Sequence, residues 1–173
     1  MPTTVATSIK ASVQVTEVSG TASVGGAAPV ATHFFDASQD IANGTTSGLA
    51  DLVWSQSGRV VNNGANDDID VSGALAVTFG GNFTPVRIVG LYIKNRTTLT
   101  GNKLVVGNGA NPFFSGLFGT GAHVITVGPG GSLLWTSQVD PATPAGGTGD
   151  ILRINNPGSA PITYDILIVG RSA

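Results

Sequence analysis

The sequence contains no cysteine, which excludes disulfide bonds, thiolate zinc sites and a cysteine nucleophile together. It also has few charges: eight Lys and Arg residues face ten Asp and Glu residues, for a net charge of −2. Such sparse charge forms no basic surface for nucleic acid or for an anionic membrane, so we expect neither as a partner. A weakly charged surface also favours association with other subunits.

The sequence has no long apolar run either, since nowhere do eighteen apolar residues follow one another. The first stretch, MPTTVATSIKASVQV, lacks the basic region and the continuous apolar segment of a signal peptide. We therefore expect a soluble protein made in the cytoplasm. Its 173 residues suffice for one domain with a substantial core.

Glycine and short apolar runs are abundant instead, with 25 glycines and 41% hydrophobic residues. The apolar runs are short, turn-forming residues separate them, and no long helical periodicity is present. This pattern predicts an all-β protein, an antiparallel β-sandwich of the jelly-roll or Greek-key type. The predicted strands after residue 48 are 49–55, 68–79, 86–95, 103–107, 123–127, 132–136, 150–155 and 162–170.

The chain divides near residue 48 in composition. Residues 9–15 alternate between apolar and polar side chains, which predicts a half-buried strand. Residues 19–48 are rich in Gly, Ala, Ser and Thr and are typical of a connecting arm. We predict an N-terminal strand and arm over 1–48 that pairs with a neighbour by strand addition, and a sandwich domain over 49–173.

Two predicted strands are apolar on both faces, residues 86–95 and 165–170. No helices remain in the sequence to cover an outer sheet face, so these strands are predicted to lie at a subunit contact.

The stretch NNGANDDIDVSGAL places three carboxylates within four positions, at Asp67, Asp68 and Asp70. A calcium loop would need a distal glutamate, and the single glutamate of the chain is Glu17, far away in the sequence. We interpret the stretch as structural: Asn66 and Asp67 form a turn, Asp68 opens a strand, and the Asp70 side chain points to solvent between Ile69 and Val71.

The two histidines, His33 and His123, do not stand at metal-ligand spacing from one another or from a glutamate. We interpret both as core or interface residues. A triad assembled in space stays possible from sequence order, although no serine occupies a G-x-S-x-G elbow.

Glycine-rich runs such as PAGGTGD lack the following Lys-Ser or Lys-Thr and the helix that phosphate binding requires, so they are predicted turns. Several aromatic residues could form a sugar-binding platform, but such residues more often fill a core or an interface. They are Trp54, Trp135, Phe113, Phe114 and Phe118. The sequence thus offers no catalytic, metal-binding or cofactor-binding residue, and we expect a protein that is not an enzyme and uses no cofactor.

Two stretches carry a resemblance: ADLVWSQSGRVVNNGANDDIDVSGAL (50–75) and VGPGGSLLWTSQVDPATPAGGTGDILRINNPGSAPITYDILIVGRSA (127–173). They resemble small virion structural proteins of tailed bacteriophages, which share an Ala-Asp-Leu-Val start and a Gly-Thr-Gly-Asp, Asn-rich turn and Thr-Tyr-Asp-Ile ending. The resemblance implies a decoration (cement) protein on the capsid surface of the virion, or another minor capsid component, without catalytic residues.

The partners implied are the major capsid protein and further copies of the chain, with a trimer expected by analogy. The alternative is a receptor-binding or tail-fibre tip module in which Trp54 or Trp135 contacts host glycan. A hydrolase with a hidden triad is the third hypothesis.

Overall fold

The computed structural model describes residues 4–18, 30–73, 75–78, 80–113 and 122–173. Over these ranges the chain forms twelve strands and no helix, so the predicted all-β fold is confirmed. In chain order the strands are β1 (Thr7–Val18), β2 (Val30–Ile41), β3 (Leu52–Val61), β4 (Asn66–Asp70), β5 (Leu75–Ala76), β6 (Asn82–Phe83), β7 (Arg87–Asn95), β8 (Leu104–Gly107), β9 (Val124–Val127), β10 (Ser132–Thr136), β11 (Ile151–Asn155) and β12 (Ile162–Arg171).

Eight of these strands form two four-stranded antiparallel sheets, in the orders β10-β7-β12-β3 and β4-β11-β8-β9. The pairing is nested along the chain: β3 pairs with β12, β4 with β11, β7 with β10 and β8 with β9. Nested pairs of this kind form when one long antiparallel hairpin of the chain folds over on itself, which divides its paired strands between two facing sheets. The two sheets are consistent with a β-sandwich, and its jelly-roll or Greek-key form stays a prediction.

The core lies between the two sheets, because strand alternation directs one apolar row of each sheet inwards. On β12 the inward row consists of Ile162, Tyr164, Ile166 and Ile168, all at most 2% exposed. One contiguous cluster joins the two sheets, and its other buried members are Trp54, Val61, Ile69, Val71, Phe83, Ile88, Leu91, Ile93, Leu104, Val106, Phe113, Val127, Leu152 and Ile154.

The predicted continuous strand over 68–79 is wrong, because β4 ends at Asp70 and β5 is only two residues long. A carboxylate oxygen of Asp70 accepts hydrogen bonds from the backbone N–H groups of Ser72, at 3.0 Å, and Gly73, at 2.7 Å. This side chain competes with the strand ladder for the backbone donors and bends the chain. The prediction for residues 49–55 was also short, since β3 extends to Val61.

Part of the predicted connecting arm forms a strand. Residues 30–41 are β2, which pairs with β1 over twelve residues in antiparallel register from Thr7–Ile41 to Val18–Val30. Neither strand joins the two large sheets. We call this pair the β1–β2 ribbon. Residues 19–29 of the predicted arm lie outside the described residues, and the domain division at residue 48 stays a prediction.

The base of the ribbon is anchored on the sandwich by a second, small apolar cluster. Ile41 of β2 is 2% exposed and packs with Ala50, Val89 and Val169, and Ile9 of β1 packs against this group. The remaining ribbon residues, from Lys10 on β1 and up to Ser38 on β2, are exposed. The ribbon therefore contacts its own sandwich at one end only.

Candidate functional site

Asp67 lies in β4, where it is part of a compact polar network. Its carboxylate accepts two hydrogen bonds from the Arg59 guanidinium, at 2.6 and 2.8 Å, and one from the Tyr164 hydroxyl, at 2.6 Å. The three side chains come from β3, β4 and β12, so the network ties the two sheets together at one rim. Arg59 also lies 5.8 Å from the centre of the Trp54 ring, within cation–π range.

The protonation states of the network follow from its geometry. Burial opposes ionisation of Asp67, but the hydrogen bonds from Arg59 and Tyr164 and the positive charge of Arg59 outweigh it and lower its pKa. Burial, with the hydrogen bond to Asp67, raises the pKa of Tyr164 well above its usual range. Near neutral pH Asp67 is therefore an anion, and Tyr164 keeps its proton and donates it to that anion in a hydrogen bond, which stabilises the structure.

The other two aspartates of the stretch also have structural partners. Asp68 forms a bidentate ion pair with Arg153 of β11, with both hydrogen bonds at 2.6 Å, and Asp70 holds the bend described above. The predicted turn at Asn66 and Asp67 is wrong, because both residues belong to β4 and pair with β11. Within the described ranges, no group of three or more His, Asp or Glu side chains is placed to hold a metal ion.

The histidines lie on separate elements. His33 is on β2, and its Nε2 atom is 3.5 Å from a carboxylate oxygen of Glu17 on β1. Sequence spacing could not reveal this pair, because the antiparallel register of the ribbon brings the two residues together. His123 precedes β9 and is exposed, so it is not a core residue in the single chain. The other predicted position, at an interface, stays a prediction.

The aromatic residues do not form an exposed platform among the residues described. Trp54 is 3% exposed and Phe113 is 4% exposed, and both belong to the core cluster, against which the half-buried Trp135 packs. Phe114 and Phe118 lie outside the described residues. The PAGGTGD run closes a tight turn in which Gly147 has a φ of 74°, which confirms that prediction.

The β1–β2 ribbon is amphipathic. Residues that are directly opposite in an antiparallel pair share a face, so the register sorts its side chains into two sets. The polar set contains mostly Ser, Thr, Asp, Lys and Gln residues, together with Phe34 and, at the far end of the ribbon, Val18 and Val30. The set that we call the apolar ribbon face contains Ile9, Ala11, Val13, Val15, Ala31, Phe35, Ala37 and Ile41, with Thr7, Gln39, His33 and Glu17 among them.

Most of the apolar ribbon face is uncovered in the single chain. Phe35 is 71% exposed, Val13 is 57% exposed and Val15 is 47% exposed. Only Ile9 and Ile41, at the base, are packed against the sandwich. Water thus contacts this face from Ala11 to Glu17, a row about 20 Å long, given roughly 3.3 Å per strand residue.

A second uncovered apolar surface lies on the outer face of the β10-β7-β12-β3 sheet. The register places Leu134, Tyr92 and Leu167 side by side on neighbouring strands. Val53 and Val169 occupy the next row, where Val169 is already covered by the ribbon base and is 1% exposed, and we call these five residues the outer sheet patch. Leu134 is 41% exposed, Val53 38% and Leu167 36%.

The ribbon base and the outer sheet patch enclose a groove of about 510 Å³, which the five patch residues line together with residues 4–10, Gly90 and Leu91. The sequence prediction that β7 and β12 are apolar on both faces is confirmed: Leu91 and Ile93 face the core, whereas Val89 and Tyr92 face outwards. The predicted subunit contact at these strands stays a prediction.

No protein-family model matches the chain, and the comparisons with curated proteins and with solved structures give no significant match. The resemblance to phage virion proteins therefore rests on the sequence motifs quoted above. In the part of the chain that the structure describes, there is no helix long and apolar enough to cross a membrane.

Proposed function

We propose that the protein is a non-enzymatic virion structural protein, a decoration (cement) protein that binds and stabilises a bacteriophage head shell as a homo-oligomer. The observation that carries this proposal is the amphipathic β1–β2 ribbon, which extends from a closed sandwich and exposes an apolar face in the single chain. A two-stranded ribbon is marginally stable on its own in water, so a partner surface is needed to cover it.

Two further features support an assembly role. Viral capsid proteins are among the proteins built on jelly rolls, although a fold alone does not define a function. The polar network formed by Arg59, Asp67 and Tyr164 links the two sheets, and the pKa shifts of Asp67 and Tyr164 both move these groups away from neutral pH. These observations favour a binding role over a chemical one.

Cementing is a mass-action effect. A protein that binds the mature shell, and not its broken or expanded forms, stabilises the shell by its binding free energy. Contacts from many copies add, so a modest affinity per copy is sufficient.

The test is electron cryomicroscopy of purified particles, combined with heat challenge of particles that lack the protein. Density repeated at symmetry-related positions over the shell, and a lower disruption temperature without the protein, are expected. Density confined to the tail, or unchanged heat resistance, would refute the cement role.

The alternative, a receptor-binding or tail-fibre tip module, relied on Trp54 or Trp135 as glycan contacts. The burial of Trp54 in the core removes that residue as an exposed contact. Copy number per particle separates the two functions, because a decoration protein occurs in hundreds of copies and a fibre tip in a few.

A further inference from the structure

We propose that the apolar ribbon face of one copy packs on the outer sheet patch of a second copy of this chain. The inference deepens the proposed function by naming the self-contact, but it concerns the free protein and is tested without particles. The two surfaces are uncovered in the same molecule, and one contact between copies would cover both.

The first argument is that the contact already exists within one chain at the ribbon base. Ile9, on the apolar ribbon face, packs against Val89 and Val169 on the outer side of the same sheet. Ile9 also lies over Gly90, where a Cβ atom would be at an ordinary contact distance of 3.5 Å from Ile9 Cδ1. Beyond Ile9 the ribbon leaves the sheet, so Val13, Val15 and Phe35 find no equivalent surface in their own chain. A second copy provides that surface with the same chemistry.

The second argument is the arrangement of charge. On β1, Glu17 follows Val15 by two residues and lies on the apolar ribbon face, 70% exposed in its side chain. On β7, Lys94 follows Tyr92 by two residues and lies on the outer sheet face. With the far end of the ribbon directed to the Lys94 end of the sheet, apolar residues meet apolar residues and Glu17 meets Lys94. Arg96, two residues further along, pairs with Asp165, which lies opposite Lys94, so this end of the sheet carries two positive charges and one negative charge.

The third argument is size. The uncovered part of the ribbon face, about 20 Å long, covers much less than the roughly 800 Å² per partner of a standard stable interface. If each copy both gives a ribbon and receives one, the buried area doubles. A ribbon-to-sheet contact joins two different surfaces. An assembly built on it is closed if two copies exchange ribbons or if several copies form a ring.

The experiment uses sedimentation and light scattering of the full chain over a range of concentrations, with a matched pair of variants. Phe35→Ser alters the apolar ribbon face, and Phe34→Ser alters the opposite face at the adjacent residue. Both side chains are more than half exposed, at 71% and 59%, so neither change disturbs the core. We expect Phe35→Ser to weaken self-association at least about tenfold, as loss of an aromatic anchor does, and Phe34→Ser to leave it unchanged. Equal effects of the two variants, or a wild-type chain that is monomeric at all concentrations, would overturn the proposal.

Site-directed disulfides then identify the surface opposite the ribbon, and they are unambiguous because the natural chain has no cysteine. Phe35→Cys protein is mixed with Leu167→Cys protein under oxidising conditions, with Phe34→Cys as the control. We expect a mixed dimer with Phe35→Cys and little with Phe34→Cys. A Phe35→Cys dimer with itself, in place of the mixed dimer, would show ribbon-to-ribbon packing and overturn the proposal.

Charge reversal provides an independent check of direction. Glu17→Lys and Lys94→Glu are each expected to weaken association, and the double variant is expected to recover most of it. Failure of the double variant to recover would overturn the predicted direction of the ribbon. None of these readouts depends on a capsid, so the self-contact and the cement role can fail separately.

Discussion

At the scale of single residues, the acidic stretch shows how neighbours of the same type take different structural roles. Asp67 points inwards beside Ile69 on β4 and is compensated by Arg59 and Tyr164, with a side chain 17% exposed. Asp68 points outwards to Arg153 and is 39% exposed. Strand alternation alone separates a half-buried network from a surface ion pair.

The first prediction compares these two aspartates. Asp67→Asn leaves the Arg59 charge without its counter-ion and is expected to destabilise the fold by about 1.5–3 kcal/mol. Asp68→Asn removes a surface pair and is expected to cost less than about 1 kcal/mol. Urea unfolding of the two variants measures the difference. Equal losses would mean that the network is no stronger than a surface ion pair.

The second prediction concerns pH. Because the folded state lowers the pKa of Asp67 below the ordinary value of about 3.9, the folded protein binds fewer protons than the unfolded chain in acid. The contribution of Asp67 to stability is therefore complete above that ordinary value and is lost as the pH falls through the lowered pKa. The urea midpoint should fall less between pH 7 and pH 3 in Asp67→Asn than in the natural chain. Parallel pH dependence in both proteins would contradict this assignment.

At the scale of elements, β7 and β12 each carry a glycine that lies against other parts of the chain, at Gly90 and Gly170. A Cβ atom at Gly170 would lie 2.8 Å from Pro85 Cβ and 2.9 Å from the Arg87 carbonyl oxygen. A Cβ atom at Gly90 would meet Ile9 and Val169 only at ordinary contact distances of 3.5 and 3.6 Å. The same residue type is thus obligatory on one strand and replaceable on the other.

The third prediction follows from this contrast. Gly170→Ala is expected to destabilise the protein by about 1–3 kcal/mol, because backbone would have to move. Gly90→Ala is expected to be neutral or to stabilise by up to about 1 kcal/mol, since alanine restricts the unfolded chain. Thermal unfolding of both variants tests this, and a large loss in Gly90→Ala would show that the ribbon base packs more tightly on the sheet than these distances indicate.

At the scale of the whole molecule, the main core and the ribbon share few packing contacts. Among the described residues, the main core cluster includes none before Leu52, and the ribbon contributes only Ile9 and Ile41 to the small second cluster. The sandwich is therefore expected to fold without the ribbon, at the cost of uncovering Val89 and Val169.

The fourth prediction uses a chain of residues 49–173. It is expected to unfold cooperatively in calorimetry, with a loss of roughly 1.5–3 kcal/mol for each large side chain removed from the second cluster. Its melting temperature should be independent of concentration, whereas that of the full chain should rise with concentration, because only the full chain has the ribbon through which we propose that it self-associates. A truncated chain without a cooperative transition would show that the ribbon belongs to the folding unit.

The sequence by itself determined the all-β class, most strand positions after residue 86 and the apolar character of both faces of β7 and β12. Alternation and turn residues are local signals, and they suffice for these features. Only the tertiary structure decided the partners of Asp67 and Asp68, the bend at Asp70, the proximity of His33 and Glu17 and the existence of β2. Each of these depends on which distant segment pairs with which, and strand register is not encoded in any short stretch of residues.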